Sequence, residues 1–82
     1  MKNMLTLTQL LNMVNRATRK QVDSMIYDFN RMGFYREDKR VRKEYIKECL
    51  IANYTTGLNM YGIIDSVSYE MMCSVLDAFN KF

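Results

Sequence analysis

The chain has 82 residues and a mass of 9.8 kDa, the size of one small domain. Hydrophobic residues make up 49% of it, which places it among globular rather than disordered chains. Twelve Lys and Arg against nine Asp and Glu give a net charge of +3, and the absence of histidine excludes Ser-His and Cys-His catalysis and His-ligated zinc.

No apolar run approaches the roughly 18 residues a membrane helix needs. Leu5, Leu7, Leu10 and Leu11 could suggest a leader, but Thr6, Thr8, Gln9 and Asn12 interrupt them. Cys49 and Cys73 are too few for a disulfide scaffold and lack a Cys-x-x-Cys spacing. The expectation is a mature, reduced, cytoplasmic protein whose two thiols are buried structural groups. Eight methionines are read as core filler. There is no proline, no repeat and no linker, so residues 1–82 are read as a single helical domain.

The periodicity predicts an all-α fold, a compact bundle of about four helices. The first spans 7–16. Thr6 and Gln9 have capping-box spacing, and Leu7, Leu10, Leu11 and Val14 make one apolar face. The second spans 19–32. Thr18 and Gln21 repeat the box, Val22, Met25, Ile26, Phe29 and Met32 form the stripe, and Gly33 is the left-handed stop with Phe34 folded back on Phe29. The third spans 38–56, with Val41, Tyr45, Cys49 and Ala52 on one side, Ile46 and Leu50 widening the arc, and Gly57 as its end. That wide arc predicts the central, most buried helix. The fourth spans 66–81, with Asp65 as N-cap and Tyr69, Met72, Cys73, Leu76 and Phe79 as its apolar line. The pattern leaves room for a short strand pair around Phe34-Tyr35 and Ile63-Ile64.

Charge is unevenly placed. Residues 16–47 hold ten cations against five carboxylates, a net +5, whereas residues 48–82 hold one cation against four, a net −3. Arg40, Lys43 and Lys47 form one stripe at i, i+3, i+7. Asp38–Arg42 and Glu44–Lys47 offset some of this charge, yet like-charge i, i+4 pairs and the helix dipole make the cluster unfavourable to its own helix. An external anion would compensate it, and a basic stripe is the expected footprint of phosphate binding.

The leading reading is a non-enzymatic protein that binds nucleic acid through Arg16, Arg19, Lys20, Arg36, Arg40, Arg42, Lys43 and Lys47. It would serve as a regulator or accessory factor of a phage or other mobile element. The segment Asn15-Arg16-Ala17-Thr18 between the first two helices resembles the turn of helix-turn-helix proteins, which would put Arg19 and Lys20 at the start of a recognition helix. Val22 to Tyr35 likewise resembles the helix that precedes the wing of winged-helix regulators. The chain departs from that pattern: one helix precedes this segment, and no Gly or Asn turn lies between Tyr35 and Val41.

The alternative is a protein-binding module, or an inhibitor of a host protein of the anti-CRISPR kind. It would grip its partner through exposed Tyr27, Tyr35, Tyr54, Met60 and Tyr61, with the basic stripe meeting an acidic patch. A homodimer through a Tyr/Met face is a third arrangement. No cofactor, metal, membrane or small-molecule substrate is expected. Asp65, Glu70 and Asp77 are read as not sharing one helix face, and no phosphate-cradling Gly loop is present.

Overall fold

The computed structural model describes residues 4–34, 42–55 and 66–82. Those residues form four helices and no strand: α1 (Leu7–Arg16), α2 (Arg19–Arg31), α3 (Arg42–Asn53) and α4 (Ser66–Lys81). The expected all-α bundle is what the chain adopts. Tyr35, Ile63, Ile64 and Asp65, and with them the strand pair and the N-cap of α4, lie outside the described residues.

Both capping boxes form. Gln9 N–H donates to Thr6 Oγ1 (3.1 Å) while Thr6 N–H donates to Gln9 Oε1 (2.8 Å). At α2, Gln21 N–H donates to Thr18 Oγ1 (3.3 Å) and Thr18 N–H to Gln21 Oε1 (2.7 Å). Each box satisfies backbone donors that the first helical turn leaves without partners. α2 stops as expected. Gly33 has φ +102°, Phe34 N–H donates to the Phe29 carbonyl (3.0 Å), and the two phenyl rings lie 6.2 Å apart. This is a Schellman closure, which needs a left-handed residue that glycine supplies without strain.

α1 packs on α3 and α2 on α4, while α3 also touches α2 and α4. α1 and α3 run antiparallel. Tyr54, just beyond α3, donates to the Leu5 carbonyl ahead of α1, and Lys43 at the start of α3 donates to the Asn15 carbonyl at the end of α1. Ser68 joins α3 to α4 by accepting from Thr55 N–H (2.8 Å) and donating to the Asn53 carbonyl (3.4 Å). Ser74 clamps α4 to α2 by donating to Asp28 Oδ2 (3.0 Å). Buried Gln21, Ser68 and Ser74 therefore all have hydrogen-bond partners, as burial requires.

Leu10, Val14, Val22, Met25, Phe29, Ile46, Leu50, Met71, Val75 and Ala78 form the heart of the core. Met72 is also buried, and Met4, Met13 and Met32 pack against the cluster, so the described methionines fill the interior.

The structure revises several expectations. α3 ends at Asn53 rather than Thr56, because Tyr54 leaves the helix to enter the core. Ala52 is exposed, and the inward side of α3 is Tyr45, Ile46 and Leu50. The most buried helix is α4, with six buried residues to three in α3. Its inward line is Ser68, Met71, Val75 and Ala78. Tyr69, Cys73, Leu76 and Phe79 border that line half-buried. Neither Cys49 nor Cys73 forms a disulfide, and both are half-buried rather than buried. No described helix is long and apolar enough to cross a membrane.

Candidate nucleic-acid interface

The basic groups of three helices meet where α1 ends and α2 begins. Lys43 Nζ donates to the Asn15 carbonyl (2.9 Å), and Lys47 Nζ donates to Asn15 Oδ1 (3.1 Å). The last turn of a helix leaves carbonyls without intrahelical partners and carries the negative end of the dipole. The two ammonium groups thus stabilise the C-terminus of α1. Lys47 also pairs with Glu44 (2.8 Å), as its spacing predicts. Arg42 pairs with Asp23 on α2. Its expected partner Asp38 lies outside the described residues.

Lys43 and Lys47 of the stripe, and Arg42 beside them, therefore need no external anion to offset their charge: Asn15 at the end of α1, Asp23 of α2 and Glu44 of α3 itself do so. Arg40, the third member of the stripe, lies outside the described residues.

Arg16, Arg19 and Lys20 differ. All three are exposed and none makes an ion pair among the described residues. Arg19 and Lys20 occupy the first turn of α2, the positive end of its dipole, where cations raise the local potential further. Among the described residues, six cations (Arg16, Arg19, Lys20, Arg42, Lys43 and Lys47) therefore share this corner with the carboxylates of Asp23 and Glu44. Arg36 and Arg40 lie outside the described residues.

Of the proposed partner-binding aromatics, Tyr27 stands out at 70% exposure. Tyr54 does not belong with it. It is 5% exposed, its hydroxyl is bonded to Leu5, and burial raises its phenol above the ordinary value of 10.0. Tyr35, Met60 and Tyr61 lie outside the described residues.

Three contributors were missed in sequence. Asn15 bridges Lys43 and Lys47, and Asp23 receives Arg42; both links depend on how α3 sits against α1 and α2. The third is an acidic groove of about 380 Å³ between α2 and α4, lined by Asp28, Arg31, Met32, Glu70, Cys73, Ser74 and Asp77. Glu70 and Asp77 do share a side of α4, since seven residues make two turns, and the spacing alone could have revealed it. Asp28 accepts from Arg31 (3.3 Å) and Ser74. Among the described residues no group of three Cys, Asp or Glu could hold a metal ion.

No protein-family model, curated protein or solved structure matches the chain.

Proposed function

We propose that this chain is a non-enzymatic nucleic-acid-binding protein whose contact surface is the corner between α1 and α2. The supporting observation is the convergence there of Arg16, Arg19 and Lys20 with Lys43 and Lys47. Lys43 and Lys47 hold the corner together and keep its potential positive. Arg16 and Arg19 are the uncommitted forks that reach phosphate oxygens, for which guanidinium geometry is well suited. Such contacts fix position on the backbone and carry little sequence information.

The test is fluorescence anisotropy with a labelled duplex and a labelled single strand. Three phosphate contacts, from Arg16, Arg19 and Lys20, give a log–log salt slope near −2.7, about 40-fold in affinity for a fourfold rise in salt. An Arg16→Ala/Arg19→Ala variant should flatten that slope by about two. Removing Lys43 and Lys47 is a poorer test, because it also loosens α1. No binding at low salt, or an unchanged slope in the variant, refutes the reading.

A second reading, protein docking, is favoured by a separate observation: Tyr27 stands 70% exposed on the open side of α2. Tyrosine is enriched at the centres of interfaces.

A further inference from the structure

The outer side of α1 is a hydrogen-bonding face without a carboxylate. Thr8, Asn12, Asn15 and Arg16 are exposed there, and the helix carries neither Asp nor Glu. Asn12 lies opposite Leu10 and Val14, the two residues that α1 buries, so its amide is turned away from the core. Asn15 is committed to Lys47, whereas the side chains of Thr8 and Asn12 make no hydrogen bond among the described residues. The cationic corner begins one turn beyond Asn12, where Arg16 ends α1 and Lys43 and Lys47 close on Asn15. These two ammonium groups offset the negative end of the α1 dipole, which would otherwise repel phosphates. The outer side of α2 is built differently. It carries Asp23 and adjoins the groove where Asp28 faces Glu70 and Asp77.

We infer that α1 is the base-reading element of the corner and that its target is B-form duplex DNA, met in the major groove. The inference rests on the proposed nucleic-acid reading and names its substrate. The major groove is about 12 Å wide and admits one helix of about 10–12 Å diameter. Arg16, Arg19 and Lys20 hold the phosphates that border the groove. Asn12, about 6 Å further back along α1, is left to meet base edges. A free asparagine amide donates to N7 and accepts from the N6 amino group of adenine, a pairing that the other bases do not offer in this groove. Thr8, one turn earlier, adds a methyl group suited to that of thymine. A-form RNA closes its major groove to side chains, and a single strand has no groove, so neither is read this way.

Fluorescence anisotropy of the full chain with three labelled probes tests the inference: an A·T-rich DNA duplex, a G·C-only DNA duplex and an A·U-rich RNA duplex, all at one low salt concentration. The A·T-rich DNA should bind about fivefold or more tighter than the G·C-only DNA. The RNA duplex should bind no better than the G·C-only DNA. Asn12→Ala should bring the A·T-rich duplex down to the G·C-only affinity. Its salt slope should stay unchanged, because no phosphate contact is lost, and its helicity too, because alanine suits an exposed helical position. Arg16→Ala/Arg19→Ala should instead weaken both DNA duplexes by the same factor and keep the preference. The inference is overturned by equal affinities for the two DNA duplexes, by a preference that survives Asn12→Ala, or by an RNA duplex bound as tightly as the A·T-rich DNA. In each of those cases the phosphate-binding corner still stands, whereas no binding to any probe removes both readings.

Discussion

Tyr54 ties the end of α3 to the segment ahead of α1 through one hydroxyl, donated to the Leu5 carbonyl. Its phenol is desolvated, and its pKa is raised above 10.0. A raised pKa in the folded state means the neutral form is held more tightly there than in the unfolded chain. The stabilisation is complete below about pH 10 and is lost as pH rises through the folded-state value. Tyr54→Phe should cost about 1 kcal/mol at neutral pH, with the Leu5 carbonyl losing its donor. Above pH 10 the parent should lose stability more steeply than the variant. Urea midpoints measured across that range decide it, and parallel alkaline limbs would rule out the role given to Tyr54. Lys43 and Lys47 teach a related lesson. A cation that is unfavourable on its own helix is favourable at the C-terminal end of another.

At the scale of the element, α2 has the most complete set of local signals. Thr18 and Gln21 start it, Val22, Met25 and Phe29 bury its inner face, and Gly33 stops it. Thr18→Ala removes the side-chain acceptor for Gln21 N–H and should cost about 1 kcal/mol. In a domain this small that lowers Tm by about 4–8 °C, whereas Thr18→Ser, which keeps the hydroxyl, should lose little. Thermal melts followed by far-ultraviolet dichroism measure both; equal losses in the two variants would mean that the cap bond is not what starts the helix. α3 shows the opposite case. Its apolar residues are spread around the helix, and contacts with three neighbours decide which of them go inside.

Across the whole molecule, the core rests on a few large side chains, among which Phe29 is fully buried and packs on Phe34. Stability of about 0.05–0.15 kcal/mol per residue gives an 82-residue domain roughly 4–12 kcal/mol in total. Phe29→Ala should remove about 3–5 of these, a quarter or more of what holds the fold. Urea denaturation should show a transition displaced to much lower denaturant, or partial unfolding in buffer. A midpoint within experimental error of the parent would mean that the α2–α4 contact is not the centre of the fold. Charge is arranged on the same scale, with a cationic corner at one end of α2 and a carboxylate-lined groove along the other.

The amino-acid sequence by itself determined what depends on neighbours within a turn or two. The bounds of α1 and α4, the start of α2, both capping boxes, the glycine stop and the Glu44–Lys47 pair all follow from spacings of three to seven residues. The basic surplus was equally legible, because charge is counted residue by residue. The tertiary structure decided everything that depends on how one helix is rotated against another. It sent Lys43 and Lys47 to Asn15, 28 and 32 residues away in sequence, and Arg42 to Asp23. It drew Tyr54 inward to Leu5 and put Ser68, Met71 and Val75 on the inner line of α4. It also set Asp28 opposite Glu70 and Asp77. The physical reason is that helical periodicity defines an apolar stripe but not its partner. Side-chain volume and buried hydrogen bonds choose the partner, and they act only once the helices are packed.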